Sequence, residues 1–258
     1  MPEGLEAEIW CRSARDLVGR WITELWCDQR VAPDGLADTL VGAEITAVDR
    51  IAKVVRLITT NGTLGMHFGM TGRLEVDGHA PIAQLEYASG ADRPEWDRLR
   101  LFTRPSSNVA ALRMNDPRRL GKLSLDAVID AGPDLLTLTG AELAVGVAGR
   151  RMTIKAALLD QTIVGGLGNL CADEVLFWSG VAPERTASEL TEIELDAVAV
   201  ACRTKLPEML LAGGSTHGTL SPEVRAAPMP CPVDGMPLQR TKLAGRTAVW
   251  CPHHQPRA

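Results

Sequence analysis

The sequence has no run of eighteen apolar residues, so it contains nothing long enough to cross a bilayer as a helix. It also lacks the pattern of a secretory leader. Met1-Pro2-Glu3 is followed by further acids at positions 6 and 8, where a leader needs basic residues and then an apolar stretch. A cytoplasmic protein is expected. Cysteine is sparse: the six, at positions 11, 27, 171, 202, 231 and 251, are too scattered for a disulfide framework and are expected to be thiols or metal ligands. Internal repeats and low-complexity tracts are absent, and lysine is scarce, with 5 Lys against 22 Arg. Arginine is the better residue for bidentate phosphate or base-edge contacts, although a GC-rich genome gives the same bias.

What is present is ordinary globular material. The chain has 258 residues, 45% of them hydrophobic and 23% charged, with a mean hydropathy of +0.01. That is enough to bury a sizeable core, and it excludes the disordered and collagen-like classes. The length suggests two compact units, or one with an appendage. A net charge of -5 and a pI near 5.6 argue at first sight against nucleic acid, but the sum hides the distribution. The stretch from Ser221 to Ala258 carries Arg225, Arg240, Lys242, Arg246 and Arg257 against only Glu223 and Asp234, so composition is neutral on that partner.

Three segments follow one another, and together they predict an α+β multidomain chain. Leu5, Ile9, Trp10 and Leu17 have roughly helical spacing, and the region from Val41 to about Leu125 then reads as strands. Asn61-Gly62 supplies a type I′ hairpin signal, and a second strand pair flanks Pro105 to Asn108. This predicts an N-terminal β-sandwich with a leading helix over 1–125. Ala131-Gly-Pro-Asp134 breaks the pattern, giving a linker over 126–137. A helical domain is expected over 138–220. Thr139 with Glu142 and Thr191 with Glu194 are capping boxes, each with a hydrophobic staple, Leu138/Leu143 and Leu190/Leu195. Between them lie a short helix around Thr153 to Asp160, the turn Gly165-Gly-Leu-Gly168, and a helix opening near Asn169. Prolines at 222, 228, 230, 232 and 237 leave no room for a useful helix in 221–258, and so short a tail needs something other than hydrophobic burial to hold it.

A metal is the evident means. Cys231-Pro-Val-Asp234 and Cys251-Pro-His-His254 place four donors as C-x2-D, sixteen residues, C-x2-H, the two-knuckle pattern that tetrahedral zinc needs. Gly245-Arg246 falls where the hairpin tip between the knuckles belongs. His253 in place of His254, and water in place of Asp234, are the alternatives, and an unstructured tail with two free thiols is the bland one.

Other residues could carry chemistry. Gly165 to Asn169 is a glycine-bent approach to a helix N-terminus, where free N–H groups bind anions, or simply a turn; the Rossmann spacing is absent. Ile51, Lys53, Val55 and Leu57 alternate, which sets a lysine on an apolar strand face, either snorkelling or aimed at an anion. Asn115-Asp-Pro-Arg118-Arg119-Leu-Gly121 is a loop able to push a guanidinium into a groove, and Met70 tips another. Loss of Met1 would leave Pro2 a secondary amine beside the Glu3 carboxylate. An α-amino group titrates near 7.7 to 8.0, so part of it is nucleophilic at neutral pH.

Taken in order, these features resemble the formamidopyrimidine-DNA glycosylase and endonuclease VIII family of DNA repair enzymes, and the resemblance spans the chain. Pro2-Glu3-Gly4 with Glu6 is similar to the family's N-terminus, Gln161 to Leu176 to its helix-two-turn-helix, Asn115 to Gly121 to its arginine loop, and Cys231 to Gln255 to its zinc finger. The resemblance implies a glycosylase and abasic-site lyase that acts as a monomer on damaged double-stranded DNA. It also implies a structural Zn2+ and a nucleoid-associated location of prokaryotic type. By it, Pro2 attacks the sugar C1′, Glu3 is general acid and base at the ring oxygen, and Lys53 lies near the sugar and phosphates. Lys155, Gly168, Asn169 and Arg246 grip the flanking phosphates, with Arg246 assisting the second elimination. Met70, Arg118 and Leu120 fill the gap left by the flipped nucleotide. The sequence departs from the family's pattern at Leu5 (many members have proline), at Leu120 (an aromatic is frequent), and at Asp234 and His254 (cysteines). The short connection from Gly213 to Cys231 favours oxidised pyrimidines, ring-opened purines or abasic sites over 8-oxoguanine. The alternative is a binder of damaged or abasic DNA that does not turn over, which follows if Met1 is retained.

Overall fold

The structure, a computed structural model, describes residues 2–83, 85–86, 91–104, 109–226 and 229–256. It comprises two compact units, Met1–Pro2 with Glu6–Ile129 and Glu3–Leu5 with Asp130–Ala258. Met1 and the Pro105 to Asn108 loop lie outside the described residues. No helix among the described residues is long and apolar enough to cross a membrane.

In the first unit, helix α1 (Gly4–Ala14) buries Ala7, Trp10, Cys11 and Ala14, an i, i+3, i+4, i+7 stripe that turns one face to the core. Strands β1 (Trp21–Cys27), β6 (Asp97–Arg104), β7 (Leu112–Asn115) and β5 (Arg73–Val76) form one antiparallel sheet in that order, with a short helix α2 (Leu36–Leu40) after β1. The second antiparallel sheet runs β2 (Ile45–Ile51), β3 (Val54–Thr59), β4 (Thr63–His67), β8 (Lys122–Leu125). Both sheets send their inward residues into one core. Val55, Leu57, Leu64 and Met66 come from one sheet and Leu99, Leu101, Leu112 and Met114 from the other, all without exposed surface. Each such side chain contributes about 1.5–3 kcal/mol by leaving water. The expected sandwich with a leading helix is therefore present.

Two local expectations differ. Ile51 to Leu57 does not run as one strand: Ile51 pairs with Val54, so Ala52-Lys53 is a two-residue turn, with Ala52 at φ +52°. Lys53 thus sits at a hairpin tip and not on a strand face. A turn built without glycine or asparagine leaves no mark inside a β-branched run. The hairpin at Asn61-Gly62 exists, but Ile58 pairs with Thr63 and neither turn residue has positive φ, so it is a four-residue loop and not type I′. Thr59 closes it, its Oγ donating to the Gly62 carbonyl at 2.7 Å.

The second unit is helical: α3 (Gly140–Val147), α4 (Ile154–Leu159), α5 (Asn169–Ser179), α6 (Glu192–Ala212) and the one-turn α7 (Pro222–Ala226). Both capping boxes are formed, Thr139 with Glu142 and Thr191 with Glu194, each hydroxyl accepting from the N3 amide while the glutamate accepts from the cap N–H. The chain then forms the hairpin β9 (Gln239–Leu243) and β10 (Arg246–Trp250). Its turn residues Ala244 and Gly245 have φ +48° and +73°, the paired left-handed geometry of a type I′ turn, which leaves Arg246 exposed at the tip.

Candidate active site

In the first unit Pro2 is buried, and Lys53 is half-buried at the β2/β3 turn. His67, at the end of β4, is held below the usual histidine range by burial and by the ammonium groups of Lys53 and Lys122. A neutral imidazole suits its local task, because Nδ1 accepts from the Gly69 N–H at 3.2 Å and so shapes the turn that carries Met70.

That turn and the 116–121 loop lie against each other. Gly69 has φ +59°, and a Cβ there would run into the Leu120 backbone, so only glycine fits. Met70 Sδ is 3.9 Å from Arg118 Nη1. Arg118 and Leu120 are exposed, and Leu120 leaves 41% of its surface in solvent. The two arginines of the loop have separate fates. Arg119 turns back and donates to Asp28 Oδ2 at 2.9 Å, where the buried Arg98 also donates, at 3.0 Å. Arg118 is left outward. Met70, Arg118 and Leu120 thus form one projecting cluster.

In the second unit the Glu3 carboxylate caps helix α5. It is 1% exposed and accepts three backbone N–H groups: Leu170 on Oε1 at 2.8 Å, and Cys171 at 3.0 Å and Gly168 at 3.1 Å on Oε2. A carboxylate at a helix N-terminus meets both the orphan donors and the positive end of the dipole. The glycine turn therefore does seat an anion, but that anion is a side chain of the protein. A Cβ on Gly168 would overlap the Glu3 carboxyl group, and one on Gly4 would crowd Gly166, which explains both glycines. Asn169 is the first residue of α5 and half-buried.

Lys155 departs from its expected role on DNA phosphates. Its side chain has no exposed surface: Nζ donates to Asp173 Oδ1 at 2.5 Å and to the Thr247 carbonyl at 3.0 Å. Burial pushes the ammonium down, against the pull of Asp173. α4 is apolar around Lys155, with Ile154, Ala157 and Leu158 all buried, so the lysine faces inward to a carboxylate waiting there. Asp173 is a hub. It also accepts from Arg225 at 2.6 Å and from the Val249 N–H at 3.0 Å, both on Oδ2, and Arg225 donates to the Thr247 carbonyl at 3.1 Å. The hub thus grips β10 one residue beyond Arg246. Sequence reasoning gave neither Asp173 nor its neighbour Glu174 a role. The signal was there: two acids inside the apolar run Asn169-Leu-Cys-Ala-Asp-Glu-Val-Leu-Phe177 must be buried, and buried acids need partners. Glu174 finds Trp178 Nε1 and the N–H groups of Thr219 and Leu220, at 2.8 to 2.9 Å.

Of the four expected metal ligands, three come together: Cys231 Sγ, Cys251 Sγ and an Asp234 carboxylate oxygen lie within 4.8 Å of one another. His254 is not in that group. Its Nε2 is 2.9 Å from the Phe177 carbonyl, with its ring 4.7 Å from that phenyl ring, while the neighbouring His253 reaches Asp234 Oδ2 with Nδ1 at 2.9 Å. Burial acts to raise the Asp234 carboxyl, but hydrogen bonds from the Met236 N–H, Cys231, His253 and Cys251 outweigh it and hold it well below the usual carboxylate range. Two thiols and a carboxylate sharing protons this closely make a donor set that a divalent cation fits.

The chain is similar to known proteins along nearly its full length. The family described as Formamidopyrimidine-DNA glycosylase N-terminal domain matches residues 1–123, and the Formamidopyrimidine-DNA glycosylase H2TH domain matches 131–221. The formamidopyrimidine-DNA glycosylase of Halorhodospira halophila is 32% identical over 282 residues, covering 99% of this chain and all of that protein. That of Paracoccus denitrificans is 32% identical over 246 residues, 85% of each. Among solved structures, MutM (Fpg) from Thermus thermophilus gives a TM-score of 0.80 at 27% identity, with 100% of both chains covered. The Lactococcus lactis Fpg bound to abasic-site DNA gives 0.81 at 23%, covering 98% and 99%, a likeness of fold.

Proposed function

The chain belongs to the formamidopyrimidine-DNA glycosylase family and is a DNA glycosylase of base excision repair, and we propose that it excises a damaged, flipped-out base through a Schiff base on Pro2. The observation that carries this reading is the Glu3 carboxylate, fixed by three amides at a helix N-terminus on the residue next to Pro2. With Met1 removed, the Pro2 nitrogen lone pair attacks C1′ and the C1′–N glycosidic bond breaks as the base leaves. Glu3 takes the proton that the Pro2 nitrogen gives up and passes it to the ring oxygen, which opens the sugar and leaves an iminium, while the departing base takes its proton from solvent. Loss of a C2′ proton then expels the 3′ phosphate, the lyase step. Lys53, at its turn, is the cation for the sugar and its phosphate. Asn169 and Arg246 hold flanking phosphates, and Met70, Arg118 and Leu120 enter the gap in the duplex, with Arg118 on the orphaned base. Lys155 acts indirectly, through the strand that carries Arg246. Borohydride trapping on a duplex with one abasic site, followed by mass mapping, tests the scheme, and an adduct on any residue other than Pro2 rejects it.

Oxidised pyrimidines, ring-opened purines and abasic sites are the proposed lesions in preference to 8-oxoguanine. The support is the short connection from Gly213 to Cys231, whose Thr219 and Leu220 amides are tied to the buried Glu174.

Arg246 sits exposed at a hairpin tip, the placement of a phosphate contact. Arg246→Ala is expected to weaken duplex binding and to reduce the slope of log K against log salt by about 0.9, one released counterion. An unchanged slope measured by titration at several salt concentrations rejects the contact.

Cys231, Asp234 and Cys251 would hold a structural Zn2+, with His253 the adjacent fourth donor in place of His254. Bound there, the ion would cross-link the two knuckles. Elemental analysis of purified protein is expected to give one zinc per chain, lost in Cys231→Ser, with a lower Tm on chelation. A metal-free protein whose Tm ignores chelator overturns this assignment.

A further inference from the structure

Within the first unit, one buried carboxylate organises the whole projecting cluster. Asp116 has no exposed surface and takes four donors. Oδ2 accepts from the Leu120 N–H at 2.7 Å and the Gly121 N–H at 2.8 Å, and Oδ1 from the Arg118 N–H at 3.2 Å. The fourth is the hydroxyl of Thr71, 1% exposed, which donates to Oδ1 at 2.5 Å. The 116–121 loop is thus wrapped around an anion, and the side chain that reaches that anion comes from the neighbouring turn, one residue after Met70. The same turn is closed by the Gly72 N–H on the Phe68 carbonyl at 2.9 Å. On its far side the loop is fixed by Arg98, whose Nε donates to the Asp116 carbonyl at 2.9 Å and whose Nη1 shares Asp28 with Arg119.

We propose that the Thr71–Asp116 pair is a positioning device for opposite-strand recognition, welding the Met70 turn to the Arg118/Leu120 loop so that the three side chains enter the duplex as one rigid body. The inference rests on the reading of Met70, Arg118 and Leu120 as gap fillers and goes beyond it. It assigns specificity to two residues that face away from solvent and can touch no DNA. The physical argument is preorganisation. Arg118 is on a flexible stem in a loop with no secondary structure, and a guanidinium discriminates among bases only when its fork is held in place. Its backbone N–H and those of Leu120 and Gly121 converge on one carboxylate, and Thr71 carries the restraint across to Met70. A charge-assisted hydrogen bond at a fully buried site is strong enough for its loss to change a rate by about tenfold.

The test uses the full chain and four duplexes, each with one abasic site opposite A, C, G or T, and reads the rate of borohydride trapping on each. Thr71→Val keeps the shape and removes the donor. The fastest duplex is expected to slow by about tenfold and the spread among the four to collapse, because a loosened Arg118 can no longer tell the bases apart. Thr71→Ser, which keeps the hydroxyl, is expected to restore both. A merely structural role lowers all four rates by one factor and leaves the spread as it was; that result, or a Thr71→Ser variant as impaired as Thr71→Val, overturns the proposal. Should Thr71→Val not fold, Asp116→Asn reports instead, since its amide sets a donor against the loop amides, and the same collapse or constancy decides. Arg118→Ala separates this inference from the reading beneath it. If that variant leaves the spread unchanged, or the parent has none, the role of Arg118 itself fails and the proposal with it. If Arg118→Ala flattens the spread and Thr71→Val does not, only the positioning role fails.

Discussion

Glu3→Gln is expected to lower base excision by about 10²–10⁴-fold, the range for removal of a positioned general acid and base, with duplex affinity close to that of the parent. The substitution is nearly isosteric, but its seat makes it more than a change of charge. Two carboxylate oxygens accept three N–H groups, two on Oε2 and one on Oε1. A glutamine can offer one oxygen to the pair at Gly168 and Cys171, and then turns its own amide donors toward the Leu170 N–H. One buried donor is left unmet, at a cost of about 1–3 kcal/mol, so turnover is to be measured well below the variant's Tm. Pro2→Gly is the complementary change. Glycine removes the pyrrolidine ring that fixes the attacking nitrogen, so the lone pair is no longer held in line for C1′, and excision is expected to be abolished. Equal loss of duplex affinity and excision in both variants would mean that Pro2 and Glu3 hold the structure and not the chemistry.

Residues legible in the sequence were those whose local chemistry is self-sufficient. A capping box needs only a threonine, a glutamate three residues on and a staple, and both were found where expected. The candidate metal donors follow from spacing, and three of the four come together. What could not be read depends on contacts far apart in the chain. Glu3 lies 165 residues from Gly168, and nothing in either segment names the other. The choice between His253 and His254 turns on the Phe177 carbonyl, which attracts one imidazole out of the group. Lys53 reads as a strand residue because the Ala52-Lys53 turn has no turn residues, and Lys155, which the resemblance placed on flanking phosphates, is received by a carboxylate distant in the chain that no local pattern announces.

That distant carboxylate carries the largest expected effect on stability. Asp173→Asn is expected to destabilise the protein by about 3–5 kcal/mol, because it strands the fully buried Lys155 ammonium and leaves Arg225 without its counter-charge. For a chain of this size that is a fall in Tm of roughly 6–20 °C. The effect has a place as well as a size. Asp173 holds the Val249 N–H directly, and Lys155 and Arg225 both hold the Thr247 carbonyl, so hydrogen exchange in β10 should rise before exchange in α6 does. Lys155→Met is expected to cost a similar amount by leaving Asp173 with one cation fewer. Lys155→Met combined with Asp173→Leu should cost less than the two single changes added, because no buried charge then lacks its partner except Arg225, which can turn to solvent. Calorimetry on the four variants, Asp173→Leu alone included, decides the matter. A Tm for Asp173→Asn within a degree or two of the parent would mean that water reaches the site and that β10 is held by its hairpin alone.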